Sequence, residues 1–217
     1  MPYRFVPFVD QNFYHIYNRG VEKRIIFSDE RDYQRFLQTL YYYQYDIPQS
    51  PFSKKNLLKN LERDISSYPK LVEISCYCLM PNHFHLLVRQ LQENGIQKFM
   101  SKVLNSYTKY FNTKHKRVGP LLQGMFKAVP IEDDQQLMHV SRYIHLNPYV
   151  SGLTKDLDNY LYSSYPDYIG KTQGKICNKK SILSLFKNPK DYEEFVAGQA
   201  DYAKELEIMK HLLMEEE

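Results

Sequence analysis

The order of apolar segments in this chain predicts an α+β fold: a central antiparallel sheet with helices on one face and a helical appendage at the C-terminus. Three observations carry the prediction. Short aromatic and β-branched runs occupy residues 13–17, 71–79, 83–89 and 126–131. Two segments with helical spacing separate the first run from the second and the third from the fourth. The second and third runs are joined by Met80-Pro81-Asn82 alone, a hairpin signal. The resulting order, β-α-ββ-α-β plus a further helix, is the split βαβ, ferredoxin-like arrangement.

Each element has its own local cause. Phe13-Tyr14-His15-Ile16-Tyr17 reads as a strand that stops at the turn signal Asn18-Arg19-Gly20. Tyr33, Phe36, Leu37, Leu40 and Tyr41 then recur at helical spacing behind Ser28-Asp29, which supplies an N-cap. Residues 46–69 read as an insertion, with prolines at both ends and Leu57, Leu58, Leu61 and Ile65 spaced as a short amphipathic helix. Ile96, Phe99, Met100, Val103, Leu104, Tyr107 and Phe111 hold the 3.6-residue period over four turns, the clearest helix of the chain. Gly119-Pro120 and Gly124 mark a loop before the fourth strand. Asp133-Asp134 opens a last long helix that Asn147-Pro148 is expected to end, because the residue before proline is biased away from helix. Residues 1–170 are thus expected to form one domain, and 171–217 a linker and acidic helical tail.

Composition narrows the function classes. The 217 residues suffice for one good core. Apolar runs are far shorter than a bilayer span and the start lacks a signal core, so a cytoplasmic location is the expectation. Three cysteines, Cys76, Cys78 and Cys177, make a disulfide framework unexpected. The net charge of +4 hides a polarity: residues 191–217 hold nine acidic residues and two Lys, a net of −7, which leaves +11 on residues 1–190. A basic body rich in Tyr and Phe suits single-stranded nucleic acid, where cations follow phosphates and rings stack on bases. It equally fits a solvated basic surface over an aromatic core.

His83-Phe84-His85 is the most informative motif. Side chains alternate along a strand, so both imidazoles share one face and can hold a divalent metal. Cys76 and Cys78 with the two histidines form an alternative set, a zinc site across the hairpin. On the last long helix, Leu137, Val140 and Ile144 define the buried stripe, and Tyr143 and Asn147, at i and i+4, project together at its edge. Tyr143 is a candidate nucleophile and Asn147 a candidate metal ligand through its amide oxygen; packing and helix termination are the competing readings. Tyr107, Lys109, Tyr110, Asn112, Lys114, Lys116 and Arg117 form an aromatic and basic cluster that could line a strand-binding groove, and Asn18-Arg19 is a weaker phosphate or base contact. No phosphate-binding Gly-rich loop and no G-x-S-x-G elbow occurs.

Three segments, in order, resemble the single-tyrosine HUH transposases, and among them the REP-associated tyrosine transposases. They are Met80-Pro81-Asn82-His83-Phe84-His85-Leu86-Leu87-Val88, Leu122-Gln123-Gly124-Met125-Phe126-Lys127 and Tyr143-Ile144-His145-Leu146-Asn147-Pro148. The resemblance covers roughly residues 10–168. It implies that His83, His85 and Asn147 bind a divalent metal, Mg2+ or Mn2+, and that Tyr143 is the catalytic nucleophile. The implied reaction is cleavage and strand transfer of single-stranded DNA at hairpin-forming repeats, through a 5′-phosphotyrosine intermediate, with Gln123 and Lys127 among the DNA contacts. A monomer and a homodimer with shared sites both fit these motifs. The chain departs from the family pattern at Leu122 and Met125, where Trp and Arg are usual, and at Tyr162-Ser163-Ser164, where the first residue is usually Trp. A hairpin-binding protein without turnover and a zinc-stabilised nucleic-acid module are the alternatives.

Overall fold

The computed structural model describes residues 7–47 and 65–200. Four strands, β1 (Phe13–Arg19), β2 (Val72–Met80), β3 (His83–Gln90) and β4 (Lys127–Pro130), form one antiparallel sheet in the order β2-β3-β1-β4. That is the order of the split βαβ arrangement, with the first and third strands central. Helices α1 (Glu30–Tyr43) and α2 (Gly95–Lys114) lie on one face of it. The predicted short helix at Leu57, Leu58 and Leu61 falls outside the described residues, and Ile65 begins a single 3-10 turn.

Alternation decides what each face holds. Tyr14 and Ile16 of β1 and Phe84, Leu86 and Val88 of β3 enter the core beneath α1 and α2, which they share with Phe36, Leu40, Phe99 and Val103. Phe13, His15, Tyr17 and Arg19, with His83, His85, Leu87 and Arg89, therefore face the other way. In β2 the register slips between Ile74 and Cys76, a bulge at Ser75. The extra residue reverses the alternation, so Ile74 joins the α1/α2 core while Cys76, Cys78 and Met80 join a second core on the opposite face.

Helix α3 (Asp134–Val150) packs over that second face with Leu137, Ile144 and Leu146. Asp133 caps it, accepting from the Gln136 N–H at 2.7 Å. The helix does not stop at Asn147. It continues to Val150 with Pro148 inside it, forgoing one helix hydrogen bond near its end while the proline ring is buried in the packing of the helix. Three short helices follow: α4 (Tyr165–Tyr168), α5 (Lys180–Leu183) and α6 (Pro189–Ala197). Ile182, Tyr192 and Val196 of the last two are buried in the second core, so residues 180–197 pack onto α3.

A buried polar chain fixes α3 between β2 and α6. The Ser164 hydroxyl meets His145 Nε2 at 2.8 Å, and His145 Nδ1 meets the Tyr192 hydroxyl at 2.7 Å. Tyr192 donates to Ser141 Oγ at 3.2 Å, and Ser141 donates to the Met138 carbonyl at 2.7 Å. Those last donors fix the direction of the chain: His145 donates from Nδ1 to Tyr192 and accepts at Nε2 from Ser164. Every hydroxyl and ring nitrogen is paired, the condition for burying them without penalty.

Candidate active site

The sheet face under α3 gathers three imidazoles and a phenol. Register places Tyr17 opposite His85 and Arg19 opposite His83 on the β1/β3 pair. His83 and His85 ring centroids lie 5.1 Å apart. From above, α3 brings the Tyr143 ring edge-on to His85 and to His15, at 5.5 and 5.8 Å. Asn147, one turn on, donates its amide N–H to the Tyr143 carbonyl at 2.8 Å and has the other end of its amide beside the His83 ring. The four residues named from sequence, His83, His85, Tyr143 and Asn147, are thus neighbours.

His15 is the member the sequence reading missed. Its Nε2 meets His85 Nδ1 at 2.9 Å, and the two rings stack with centroids 5.1 Å apart. Strand alternation already put His15 on one face with Tyr17, but only the β1/β3 register shows that this is the face of His85. Tyr17 continues the row, its ring 5.8 Å from His85 and 5.1 Å from His15, with Lys127 Nζ 5.9 Å from it on the other side.

Burial keeps these imidazoles neutral. His15 and His83 are each lowered to about 4, in both cases chiefly by desolvation; for His83 the Arg19 charge acts the same way and the Asn147 hydrogen bond opposes it. His85, 6% exposed, is driven well below the ordinary range by burial and then by the charges of His83, His15 and Arg19. Neutral rings are the form that ligates metal.

The donor set fits a divalent ion of borderline or hard character. Asn82 Oδ1 lies 2.6 Å from His83 Nδ1, while the other end of the same amide donates to the Lys23 carbonyl at 3.3 Å. His83 therefore carries its proton on Nδ1, which leaves Nε2 with a free lone pair. The Asn147 amide nitrogen is likewise spent on Tyr143, so its oxygen is the end that lies beside the His83 ring. Among the described residues no group of three or more His, Cys, Asp and Glu could hold a metal ion, so the candidate set is two imidazoles and an amide oxygen. The zinc set does not assemble. Cys76 and Cys78 are fully buried in the second core, burial raises both thiols, and Cys78 Sγ contacts Met80 Sδ at 3.7 Å.

The expected DNA contacts divide between two layers. Arg19 and Lys127 are exposed beside the imidazoles, and exposed Gln123 is tied to them through its N–H on the Arg19 carbonyl at 2.8 Å. Lys109 and Tyr110 belong instead to the last turns of α2, and Lys116 and Arg117 to the segment just after it, on the other side of the sheet. There Tyr110 donates to Asp32 at 3.1 Å, and Arg117 bonds Asn112 at 2.8 Å. Tyr107 is not available for base stacking: it is fully buried among Phe27, Phe36 and Phe111, with its hydroxyl on the Ile26 carbonyl. Its position on the apolar stripe of α2 overrides its place in the basic cluster. Asn18 is also buried, its amide spanning the Arg19 N–H and the Gly124 carbonyl, so it secures the loop rather than meeting a ligand.

Residues 50–147 match the family model for IS200-like transposases. Among solved structures, the chain is similar to a REP-associated tyrosine transposase bound to a REP hairpin. The match has a TM-score of 0.53 and 16% identity, and covers 82% of this chain and 94% of that one. At that identity the likeness establishes the fold. No curated protein matches. Among the described residues no helix is long and apolar enough to cross a membrane.

Proposed function

From the IS200-like transposase pattern that residues 50–147 carry, we propose that this chain cleaves and rejoins single-stranded DNA next to a hairpin, with Tyr143 as nucleophile. The observation that carries the reading is the meeting of Tyr143, 52% exposed, with the buried His85 and with His15, on a face flanked by Arg19 and Lys127. A core tyrosine would not be open to solvent, and a solvated one would not stand against dehydrated imidazoles.

In the proposed step the Tyr143 Oη attacks phosphorus. The new bond is Oη–P, the bond broken is P–O3′, and the departing 3′-oxygen takes up a proton as the phenol loses one. Water reaches the exposed phenol to accept that proton. The product is a 5′-phosphotyrosine link and a free 3′-hydroxyl, so the phosphodiester energy is conserved for the reverse reaction at another end. His83, His85 and Asn147 would hold a divalent ion, Mg2+ or Mn2+, whose chemistry when bound is to polarise a phosphate oxygen and stabilise the charge that develops there. Arg19 and Lys127 hold flanking phosphates and Gln123 a neighbouring nucleotide, while Lys109, Tyr110, Lys116 and Arg117 are left for more distant backbone. Leaving the partner as a hairpin DNA draws on the solved relative, which holds a REP hairpin.

The test uses wild type and Tyr143→Phe with a 3′-end-labelled hairpin oligonucleotide carrying a single-stranded flank, plus Mg2+ or Mn2+. Wild type is expected to retain the label covalently through denaturing electrophoresis, and the variant is not. An equal adduct with the variant overturns the assignment of Tyr143. Hairpin binding with no adduct or cleavage in wild type supports instead the reading without turnover.

A further inference from the structure

We infer that His15 is a positioning residue: it accepts the Nδ1 proton of His85 and so holds His85 in the tautomer whose Nε2 lone pair is free for the metal. The inference rests on the proposed metal role of His85 and deepens it. His15 sits at the centre of β1, and its Nε2 is 2.9 Å from His85 Nδ1. A hydrogen bond between two ring nitrogens at 2.9 Å holds one proton, and two arrangements are possible. If His85 donates, its Nε2 is unprotonated and can ligate. If His15 donates, His85 must carry its proton on Nε2 and cannot.

One feature favours the first arrangement. The same logic already operates at His83, where the Asn82 oxygen takes the Nδ1 proton at 2.6 Å, so both histidines would present Nε2. The stacked geometry, 25° between ring planes at 5.1 Å, holds the two nitrogens together in either arrangement. His15 is unsuited to be a third ligand itself. The nitrogen it turns toward the site is occupied by His85, and the described histidines form no three-membered His, Cys, Asp and Glu metal group. An outer partner that fixes the tautomer of a ligating histidine is a general device of metal centres.

The experiment compares wild type, His15→Phe, His15→Gln and His85→Ala, with Mn2+ alone as probe and free Mn2+ read by electron paramagnetic resonance. Phe keeps the stacked ring and removes the acceptor; the Gln amide places an oxygen near the position of the lost Nε2. Mn2+ affinity is expected to fall roughly 10- to 100-fold in His15→Phe, to be largely restored in His15→Gln, and to be lost in His85→Ala. Long-range 15N–1H spectra of the Mg2+-loaded proteins supply a readout that a packing role would not move: His85 is expected to be protonated at Nδ1 in wild type and His15→Gln. Thermal melts confirm that each variant is folded. Wild-type Mn2+ affinity in His15→Phe, or an Nε2-protonated His85 in Mg2+-loaded wild type, overturns the role of His15 and leaves the tyrosine chemistry standing. Unchanged Mn2+ affinity in His85→Ala overturns the metal reading itself, and with it this inference.

Discussion

The Tyr143 ring stands edge-on to the His85 ring, with centroids 5.5 Å apart and planes at 84°. The two residues come from different elements, α3 and β3, so their meeting depends on how α3 is seated rather than on local spacing. Phenylalanine keeps the ring that makes this edge contact. Tyr143→Phe is therefore expected to melt within about 0.5 kcal/mol of wild type, as surface substitutions do, and to bind hairpin DNA as tightly. Thermal melts and fluorescence anisotropy check this, and a large loss of either would make Tyr143 a structural residue.

Asn147→Ala should separate the same site from the fold in another way. The amide donates to the Tyr143 carbonyl at 2.8 Å and touches His83, so its loss removes a positioning bond and a candidate oxygen ligand together. Helix α3 is held mainly by Leu137, Ile144, Leu146 and the His145 chain, none of which involves Asn147. Mn2+ affinity and cleavage rate are expected to fall together while the melting temperature stays close to wild type. Cleavage at the wild-type rate would remove Asn147 from the site.

What sequence could disclose here follows the range of the interactions. Asp29 and Asp133 were readable as caps because capping is local, and both accept the expected N–H three residues on. His83 and His85 share a face by strand alternation, and Tyr143 and Asn147 by helical spacing, so each pair was legible alone. Their meeting needed the family resemblance, since the seating of α3 on the sheet is set by distant groups such as Tyr192. His15 was hidden for the same reason: only the pairing of β1 with β3 brings it to His85. Tyr107 was misplaced because a ring on an apolar stripe beside lysines looks alike whether it packs or binds. The Ser75 bulge, which sends Cys76 and Cys78 into the second core, has no signature in a strand whose residues from Cys76 to Met80 are all apolar enough to be buried on either face.

Acid should loosen the molecule through His145. Burial lowers its pKa from 6.5 to about 3, and both ring nitrogens are already committed, to Tyr192 and to Ser164, in the neutral form. Above pH 6.5 neither folded nor unfolded chain protonates this group, and its full contribution is present. Below 6.5 the unfolded chain binds the proton first, so stability falls by up to about 1.4 kcal/mol per pH unit until the folded pKa is reached. His15 and His83, lowered to about 4, add in the same direction over the upper part of that window. Urea midpoints are expected to be flat from pH 8 to 7 and to drop steeply from pH 6 to 4. Equal midpoints at pH 7.5 and 5 would contradict the burial of neutral histidines.

Lys127 gives a prediction that distinguishes the two basic layers. Its ammonium lies 5.9 Å from the Tyr17 ring, which is itself in the row with His85, so it stands where a phosphate flanking Tyr143 would pass. A cation that neutralises a phosphate releases a counterion, and on single strands each such contact contributes about 0.7 to the slope of log affinity against log salt. Lys127→Gln is expected to reduce that slope by roughly this amount and to weaken binding without regard to sequence. Lys109 lies on α2, across the sheet from the imidazoles, and Lys109→Gln should change the slope only when the oligonucleotide carries a long hairpin stem. Anisotropy titrations at several salt concentrations, with a short single strand and with the full hairpin, read both effects. Loss of slope for Lys109→Gln but not Lys127→Gln on the short strand would move the DNA path from the β1/β4 side of the sheet to the helical layer.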